Sequence, residues 1–153
     1  MKKLALTDFA KYRYPSALEL SPDSRYLTFA LKDVDREGDG YRWNLWLYDL
    51  ERRESRQITQ GDDQRKAVWE DNTHILYKTT EPDEALRARG FEEEWTVYHR
   101  LNVCTGEDRE AFRLPMSVSG LWKMDEGRYV FTGETHLDRP NLLELTGEAL
   151  EKE

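Results

Sequence analysis

The sequence has a single cysteine in 153 residues, only three histidines and no long hydrophobic run. A lone Cys104 excludes a framework of internal disulfides and is typical of proteins from a reducing compartment. No apolar stretch approaches the roughly 20 residues that a membrane-spanning helix needs. Lys2 and Lys3 are followed by only a short apolar stretch, which does not predict a secretory signal. We therefore expect a cytoplasmic protein with no membrane partner.

Basic residues are also scarce relative to acidic ones. The chain has 23 Lys and Arg against 31 Asp and Glu, which gives a net charge of −8. Proteins that bind nucleic acid usually present a basic patch, so we expect no nucleic-acid partner. Aromatic residues are abundant, with five Trp and eight Tyr. Such a composition excludes a disordered chain and favours a packed core.

The residues that hold metals or cofactors are not grouped as known sites require. Cys104 has no second cysteine to share a metal ion with. Residues 33–40 supply acidic side chains at alternate positions, but the twelfth position of a calcium loop would be Asn44 where the EF-hand needs glutamate. We therefore predict a solvated hairpin loop there, no metal site and no cofactor.

Hydrophobic residues alternate with a period of two over much of the chain, which indicates strands. Residues 26–31 alternate in this way, and we predict Leu27, Phe29 and Leu31 on one face. Residues 44–50 are apolar on both faces, as expected of a strand with sheets packed on each side. Most aromatic residues lie in such strands, so we expect most of them in the core.

Three segments repeat one pattern: a short apolar strand, an acidic turn, and an alternating strand that ends in an aromatic residue. A second hairpin pattern recurs between them. The three segments are 18–29, 67–77 and 121–131, and the hairpins are 45–59 and 98–112. Four short antiparallel strands in about 50 residues are typical of one blade of a β-propeller.

We therefore predict an all-β fold, a partial β-propeller of about three four-stranded antiparallel blades with the third incomplete. A β-sandwich with evenly spaced strands is the alternative, and the recurrence of the whole four-strand pattern favours the propeller. The predicted parts are an N-terminal helix at 6–15, a first blade at 16–61, a second blade at 62–114, an incomplete third blade at 115–146 and a tail at 147–153. A short helical insertion is predicted at 82–90 in the second blade, with an irregular loop as the alternative.

Four stretches, at 8–15, 20–30, 42–50 and 55–59, in this order resemble the start of the prolyl oligopeptidase family on its acylaminoacyl-peptidase branch. They include the Asp-Phe-Ala-Lys-Tyr-Arg-Tyr-Pro stretch and the Ser-Pro-Asp turn, after which the usual glycine is Ser24 here. The resemblance covers residues 6–60 well and continues more loosely to about 135. It implies a serine peptidase in which an N-terminal propeller restricts access of peptide substrates to a C-terminal α/β-hydrolase domain.

The catalytic serine of such a hydrolase domain lies in a Gly-x-Ser-x-Gly turn. This motif is absent, and the nearest match, at 117–120, lacks the first glycine and precedes a strand. His74, His99 and His136 have no serine partner in a recognisable turn. We therefore predict no catalytic residue and no hydrolase domain in this chain. The alternatives are a non-catalytic β-propeller that binds proteins and, as a third hypothesis, a small β-barrel that binds a ligand.

The acidic run Glu92, Glu93 and Glu94 is the only candidate for substrate binding. In dipeptidyl-peptidase relatives of the family, glutamates from a propeller insertion hold the amino terminus of the substrate, and carboxylates bind ammonium groups through charge-assisted hydrogen bonds. The branch that this chain resembles prefers blocked amino termini, and an exposed charged loop is the alternative.

An incomplete propeller leaves apolar faces and strand edges uncovered, and such surfaces promote association between chains. We predict an open face on the first blade formed by Leu45, Leu47 and the stripe of Leu27. The open face of the third blade is predicted to include Leu121, Val130 and Leu143. The fragment is therefore expected to self-associate through open blade edges.

Overall fold

The computed structural model describes residues 11–35, 40–82, 84–88, 94–125 and 127–134. Ten strands and one helical turn follow one another in these parts of the chain. They are β1 (Tyr14–Leu20), β2 (Tyr26–Asp35), β3 (Gly40–Asp49), β4 (Glu54–Gln57), β5 (Ala67–Trp69), β6 (His74–Pro82), α1 (Glu84–Arg87), β7 (Glu94–Asn102), β8 (Asp108–Leu114), β9 (Ser117–Asp125) and β10 (Arg128–Glu134).

The strands form three sheets in sequence order. The first has the order β1-β2-β3-β4, the second β5-β6-β7-β8, and the third contains β9 and β10. Neighbours in the first sheet are antiparallel throughout, as are β5 with β6 and β9 with β10. The all-β prediction and the four-stranded antiparallel sheets are thus confirmed. Residues 135–146, where we predicted the rest of the third blade, lie outside the described residues.

Side chains close the turns of the first sheet. Ser21 Oγ donates to Asp23 Oδ1 at 2.6 Å and accepts the backbone N–H of Tyr26 at 2.9 Å, which holds the turn between β1 and β2. Ser24 occupies this turn with φ of +60°, a left-handed conformation that glycine adopts at least cost. Asp49 Oδ1 accepts the N–H groups of Glu51 and Arg52 at 2.9 and 3.0 Å, which turns the chain from β3 into β4.

The chain divides into two compact units, Met1–Thr79 with Tyr98–Phe112 and Thr80–Val97 with Arg113–Glu153. The core of the first unit is a cluster of buried side chains from β2, β3, β5, β6 and β7 with the turn after β7. Its members are Tyr26, Ala30, Leu45, Leu47, Ala67, Trp69, Ile75, Tyr77, Leu101 and Val103.

The buried face of β2 differs from the one that we predicted to be apolar. Tyr26, Thr28 and Ala30 are buried, whereas Leu27 and the other members of its stripe are half-buried. Thr28 tolerates burial because its hydroxyl donates to the carbonyl of Glu19 at 3.2 Å. Leu47 pairs with Thr28, so it shares the buried face.

The prediction that Leu45 and Leu47 lie on an open face is therefore wrong, because these side chains are 0% and 4% exposed. They belong to the buried face of a strand that is apolar on both sides. The half-buried stripe of Leu27, Phe29 and Leu31 lies on the opposite side of the sheet, where Phe29 pairs with Trp46.

Trp69 of β5 joins the first two sheets. Its indole Nε1 donates to the carbonyl of Glu19 in β1 at 3.1 Å, and its ring stacks on Tyr26 with centroids 6.5 Å apart. Trp69 is 9% exposed and is one of four buried aromatic residues, with Tyr26, Tyr77 and Tyr98. The expectation that most aromatic residues lie in the core is wrong for the described residues, because five aromatic side chains are exposed: Tyr12, Tyr14, Tyr41, Trp122 and Phe131.

In the second unit, Thr96 holds the start of β9 beside β7. Its hydroxyl donates to the carbonyl of Met116 at 2.7 Å and accepts the N–H of Val118 at 3.1 Å. Val97, Val118 and Leu121 are buried here. The placement of Leu121 on an open face is therefore wrong, while Val130 is exposed as predicted. Trp122 is also exposed, so it is not a core aromatic residue.

The predicted helices are shorter in the structure or lie outside its described part. Strand β1 begins at Tyr14, so the last two residues of the predicted helix 6–15 are strand, and residues 6–10 lie outside the described residues. Within the predicted insertion 82–90, the helix is the single turn Glu84–Arg87 between β6 and β7. Among the described residues, no helix is long and apolar enough to cross a membrane.

Candidate functional site

The acidic run that we predicted to bind substrate is described only at its last residue. Glu94 is the first residue of β7 and is exposed. Glu92 and Glu93 lie outside the described residues, so a role of this run in substrate binding stays a prediction.

The serines nearest to a nucleophile motif lie in strand β9. Ser119 Oγ lies 2.9 Å from Thr132 Oγ1 and donates to the Thr132 carbonyl at 3.1 Å, both across the β9–β10 hairpin. A nucleophile turn would place the serine between a strand and a helix. The strand position of Ser119 therefore differs from that of a hydrolase nucleophile, and His136 lies outside the described residues.

A hydroxyl, an imidazole and a carboxylate do meet on the second sheet. His99 Nε2 lies 3.2 Å from Thr79 Oγ1, and His99 Nδ1 lies 3.6 Å from Asp108 Oδ1. The second distance is too long for a hydrogen bond. Asp108 instead accepts a hydrogen bond from the Tyr77 hydroxyl, whose ring stacks on His99. Burial and this bond to Asp108 raise the pKa of Tyr77, so its hydroxyl stays protonated.

A second polar cluster surrounds His74 at the start of β6. Asn102 Oδ1 accepts the N–H groups of Cys104 and Thr105, at 2.9 and 3.0 Å, which directs Asn102 Nδ2 toward His74 Nε2 at 3.1 Å. His74 Nε2 must therefore accept, and Nδ1 carries the proton that it donates to Asp71 Oδ2 at 2.9 Å. These bonds join the β5–β6 turn to the β7–β8 turn.

Asp71 is held as a carboxylate in this cluster. Partial burial acts to raise its pKa, but hydrogen bonds from the backbone and side chains of Thr73 and His74 outweigh it and lower the pKa of Asp71 to about 2. Arg100 Nη2 lies 3.8 Å from the same carboxylate. The cluster thus stabilises two turns.

The first unit contains a pocket of about 460 Å³ between the β3–β4 hairpin and the turn after β7. Its apolar surface comes from Tyr26, Leu47 and Val103, all of them buried residues. Cys104 lines it as well, with Sγ 3.7 Å from the Tyr26 hydroxyl. This contact with the thiol, together with desolvation, raises the pKa of Tyr26, so the phenol stays neutral.

Three arginines, Arg25, Arg52 and Arg56, line the same pocket, against two carboxylates, Asp49 and Glu54. The backbone N–H of Arg52 contributes most to lowering the pKa of Asp49, so this carboxylate stays charged. Its Oδ2 lies 3.8 Å from Arg25 Nη2 and 3.9 Å from Arg52 Nε. Arg25 Nη2 also lies 3.4 Å from Glu51 Oε2 at the rim, so the three guanidinium groups face three carboxylates.

Sequence reasoning did not find this pocket. Arg25 lies at the turn before β2, Arg56 lies in β4, and Cys104 follows β7, so only the folded sheets bring them together. Among the described residues, no group of three or more His, Cys, Asp or Glu side chains is arranged to hold a metal ion.

Comparisons with known proteins bear on the fold. No family model matches the chain, and no curated protein matches it. Among solved structures, the chain is similar to the acylaminoacyl peptidase of Pyrococcus horikoshii, with a TM-score of 0.64 and 12% identity over 87% of this chain. It is also similar to the β-propeller domain of the Trilobed protease from Pyrococcus furiosus, with a TM-score of 0.57 and 13% identity over 80% of this chain.

The fold is that of a partial β-propeller. The chain spans 19% of the first of these proteins and 34% of the second. At these identities the likeness shows the fold alone, and the activity of either protein passes to this chain only as a proposal.

Proposed function

We propose that this chain is the propeller portion of an acylaminoacyl-peptidase-like serine peptidase. In that role it restricts access of peptide substrates to a hydrolase domain. The observation that carries the proposal is the match of 87% of the chain to the P. horikoshii acylaminoacyl peptidase. The sequence resemblance over residues 6–60 supports the same branch. The single Cys104, which is a free thiol, supports a cytoplasmic location.

A propeller restricts access only if neighbouring blades stay together, since a gap between blades would admit larger substrates. The contacts of Trp69 with Glu19 and Tyr26 serve this purpose between the first two sheets. The bonds of His74 with Asp71 and Asn102 stiffen the turns of the second sheet. These contacts supply structural support, and the bond-breaking residues would belong to the hydrolase domain.

We also propose that Glu92, Glu93 and Glu94 bind the amino terminus of a peptide substrate. Glu94 is exposed at the start of β7. Replacing the three glutamates by glutamine should raise KM for peptides with a free amino terminus and leave KM for acylated peptides unchanged. Equal effects on both substrate types would contradict this role.

The access role is tested in the complete polypeptide that contains this chain. Trp69→Phe removes the bond to Glu19 and should loosen the contact between the first two sheets. We expect kcat/KM for peptides of ten or more residues to rise relative to that for an acylated amino-acid amide. The control is Trp122→Phe at an exposed site. An unchanged ratio in Trp69→Phe would contradict the access role and favour a propeller that binds proteins.

Apolar side chains remain exposed in both units. Leu18 and Leu20 are exposed in β1, and Trp122, Met124 and Val130 are exposed in the β9–β10 hairpin. We propose that the isolated chain self-associates through these surfaces, since exposed apolar patches and strand edges favour contacts between copies.

A further inference from the structure

The arginine-lined pocket of the first unit has the properties of a small-molecule site. Its volume of about 460 Å³ lies in the range of known ligand pockets, roughly 300–1,000 Å³. Tyr26, Leu47 and Val103 give it an apolar wall, and the guanidinium groups give it hydrogen-bond donors. Known small-molecule sites combine these two features, an apolar wall and a few placed polar groups.

The arginines of the pocket keep hydrogen-bond donors for a carboxylate. Arg25 Nη2 lies 3.4 Å from Glu51 Oε2 and 3.8 Å from Asp49 Oδ2, and Arg52 Nε lies 3.9 Å from the same Asp49 oxygen. Arg56 uses one nitrogen, Nη2, on the carbonyl of Val103. Arg25 Nε is buried and has no hydrogen-bond partner among the described residues. The guanidinium groups thus keep donor capacity beyond their internal contacts.

We propose that this pocket binds a small organic monoanion, a carboxylate attached to an apolar body. A guanidinium fork donates two parallel hydrogen bonds to a carboxylate. Asp49 and Glu54 would repel a dianion such as phosphate more strongly than a monoanion. The apolar body would contact Tyr26, Leu47 and Val103. This proposal is independent of the access role, because it concerns binding to the isolated chain.

Cys104 provides a reporter, because it is the only thiol of the chain and lines the pocket. The rate of its alkylation by iodoacetamide is measured with increasing 3-phenylpropionate, and in parallel with the neutral 3-phenylpropionamide. We expect the acid to slow alkylation at least threefold in a saturable manner and the amide to have no effect. A short peptide ending in phenylalanine, as free acid and as amide, shows whether the carboxylate of a chain terminus is also bound.

Arginine variants test the charge argument. Arg52→Gln is the first choice because that side chain is 72% exposed and its replacement should leave the fold intact. We expect it to weaken binding of 3-phenylpropionate roughly tenfold, as for the loss of a charge-assisted hydrogen bond. Arg56→Gln should act in the same direction. The matched control is Arg53→Gln, which changes the neighbouring arginine of the same turn, a residue that does not line the pocket.

Backbone amide shifts of Ser55 and Val103 in an NMR titration give a second readout that does not need the thiol. Shifts that saturate with the acid and not with the amide support the proposal. The proposal would be overturned if neither 3-phenylpropionate nor the peptide acid, up to about 10 mM, protected Cys104 or shifted these amide signals. Equal protection by acid and amide, or equal weakening by Arg53→Gln and Arg52→Gln, would overturn it as well.

Discussion

Trp69→Ala should be among the most destabilising single substitutions in the first unit. The indole is 9% exposed, stacks on Tyr26 and donates to the carbonyl of Glu19. Removing a buried tryptophan side chain leaves a cavity that costs about 3–5 kcal/mol. The lost hydrogen bond adds little, because the same carbonyl keeps the hydroxyl of Thr28 as a donor. We expect a loss of about 4 kcal/mol in the free energy of unfolding.

Two further variants separate the contributions. Trp69→Phe keeps an aromatic ring and removes the indole N–H, so we expect a loss of about 1–2 kcal/mol. Trp122→Ala removes a tryptophan that is 47% exposed, and we expect a loss of about 1 kcal/mol. Urea unfolding followed by far-UV circular dichroism gives the three values, with the m-value as a check on two-state behaviour.

The order of the three losses in unfolding free energy tests whether β5 packs against β1 and β2 through Trp69. Equal midpoints for Trp69→Ala and Trp122→Ala would show that Trp69 is not buried between the first two sheets. If Trp69→Phe lost as much unfolding free energy as Trp69→Ala, the hydrogen bond, and not the ring, would make the contribution to stability. Either result would contradict the burial of the Trp69 ring between β5 and the first sheet.

Four further predictions follow from the structure and the sequence. Ser24→Gly should stabilise the protein by about 0.5–1 kcal/mol in urea titrations, because Ser24 holds φ at +60°, and a loss of stability would contradict this. Asp71 has a pKa of about 2 in the folded chain against an ordinary 3.8, so the stability it contributes is present above about pH 4 and is lost toward pH 2. With its side chain 48% exposed, we expect a contribution of about 1 kcal/mol that Asp71→Asn abolishes, and an unchanged pH profile in the variant would argue against it. The purified chain should not hydrolyse acylated amino-acid amides, and turnover lost on changing Ser117 or Ser119 would contradict the prediction. Light scattering should show self-association that 0.5 M salt promotes by screening the net charge of −8, and a monomer at high concentration would contradict it.

The alternation of hydrophobic residues and the recurring four-strand pattern were enough to predict an all-β fold with four-stranded antiparallel sheets. The signal is local: each strand and each turn carries its own pattern, as in the Ser21–Asp23 turn before β2. The face that becomes buried is not a local property, because it depends on the sheet that packs against the strand. Thr28 lies on the buried face of β2, where Glu19 of the neighbouring strand accepts its hydrogen bond.

The candidate site was the least predictable part. The pocket combines the turn before β2, the β3–β4 hairpin and Cys104, and no spacing in the sequence reveals that these segments meet. The end of the helix predicted at 6–15 was also wrong, because Pro15 fits a strand that lies at the edge of its sheet, pairing there with Leu31.

We propose that this propeller portion belongs to a serine peptidase, and labelling with a fluorophosphonate probe is the measurement that tests this proposal. An antibody raised against the purified chain is used to precipitate the native polypeptide from cells that make it, after the probe has reacted with active serine hydrolases. We expect a labelled band that is much larger than a 153-residue chain. The tryptic peptides of that band should include those of residues 14–134. A precipitated polypeptide that carries these peptides but no label would contradict it and would favour a propeller that binds proteins without catalysis.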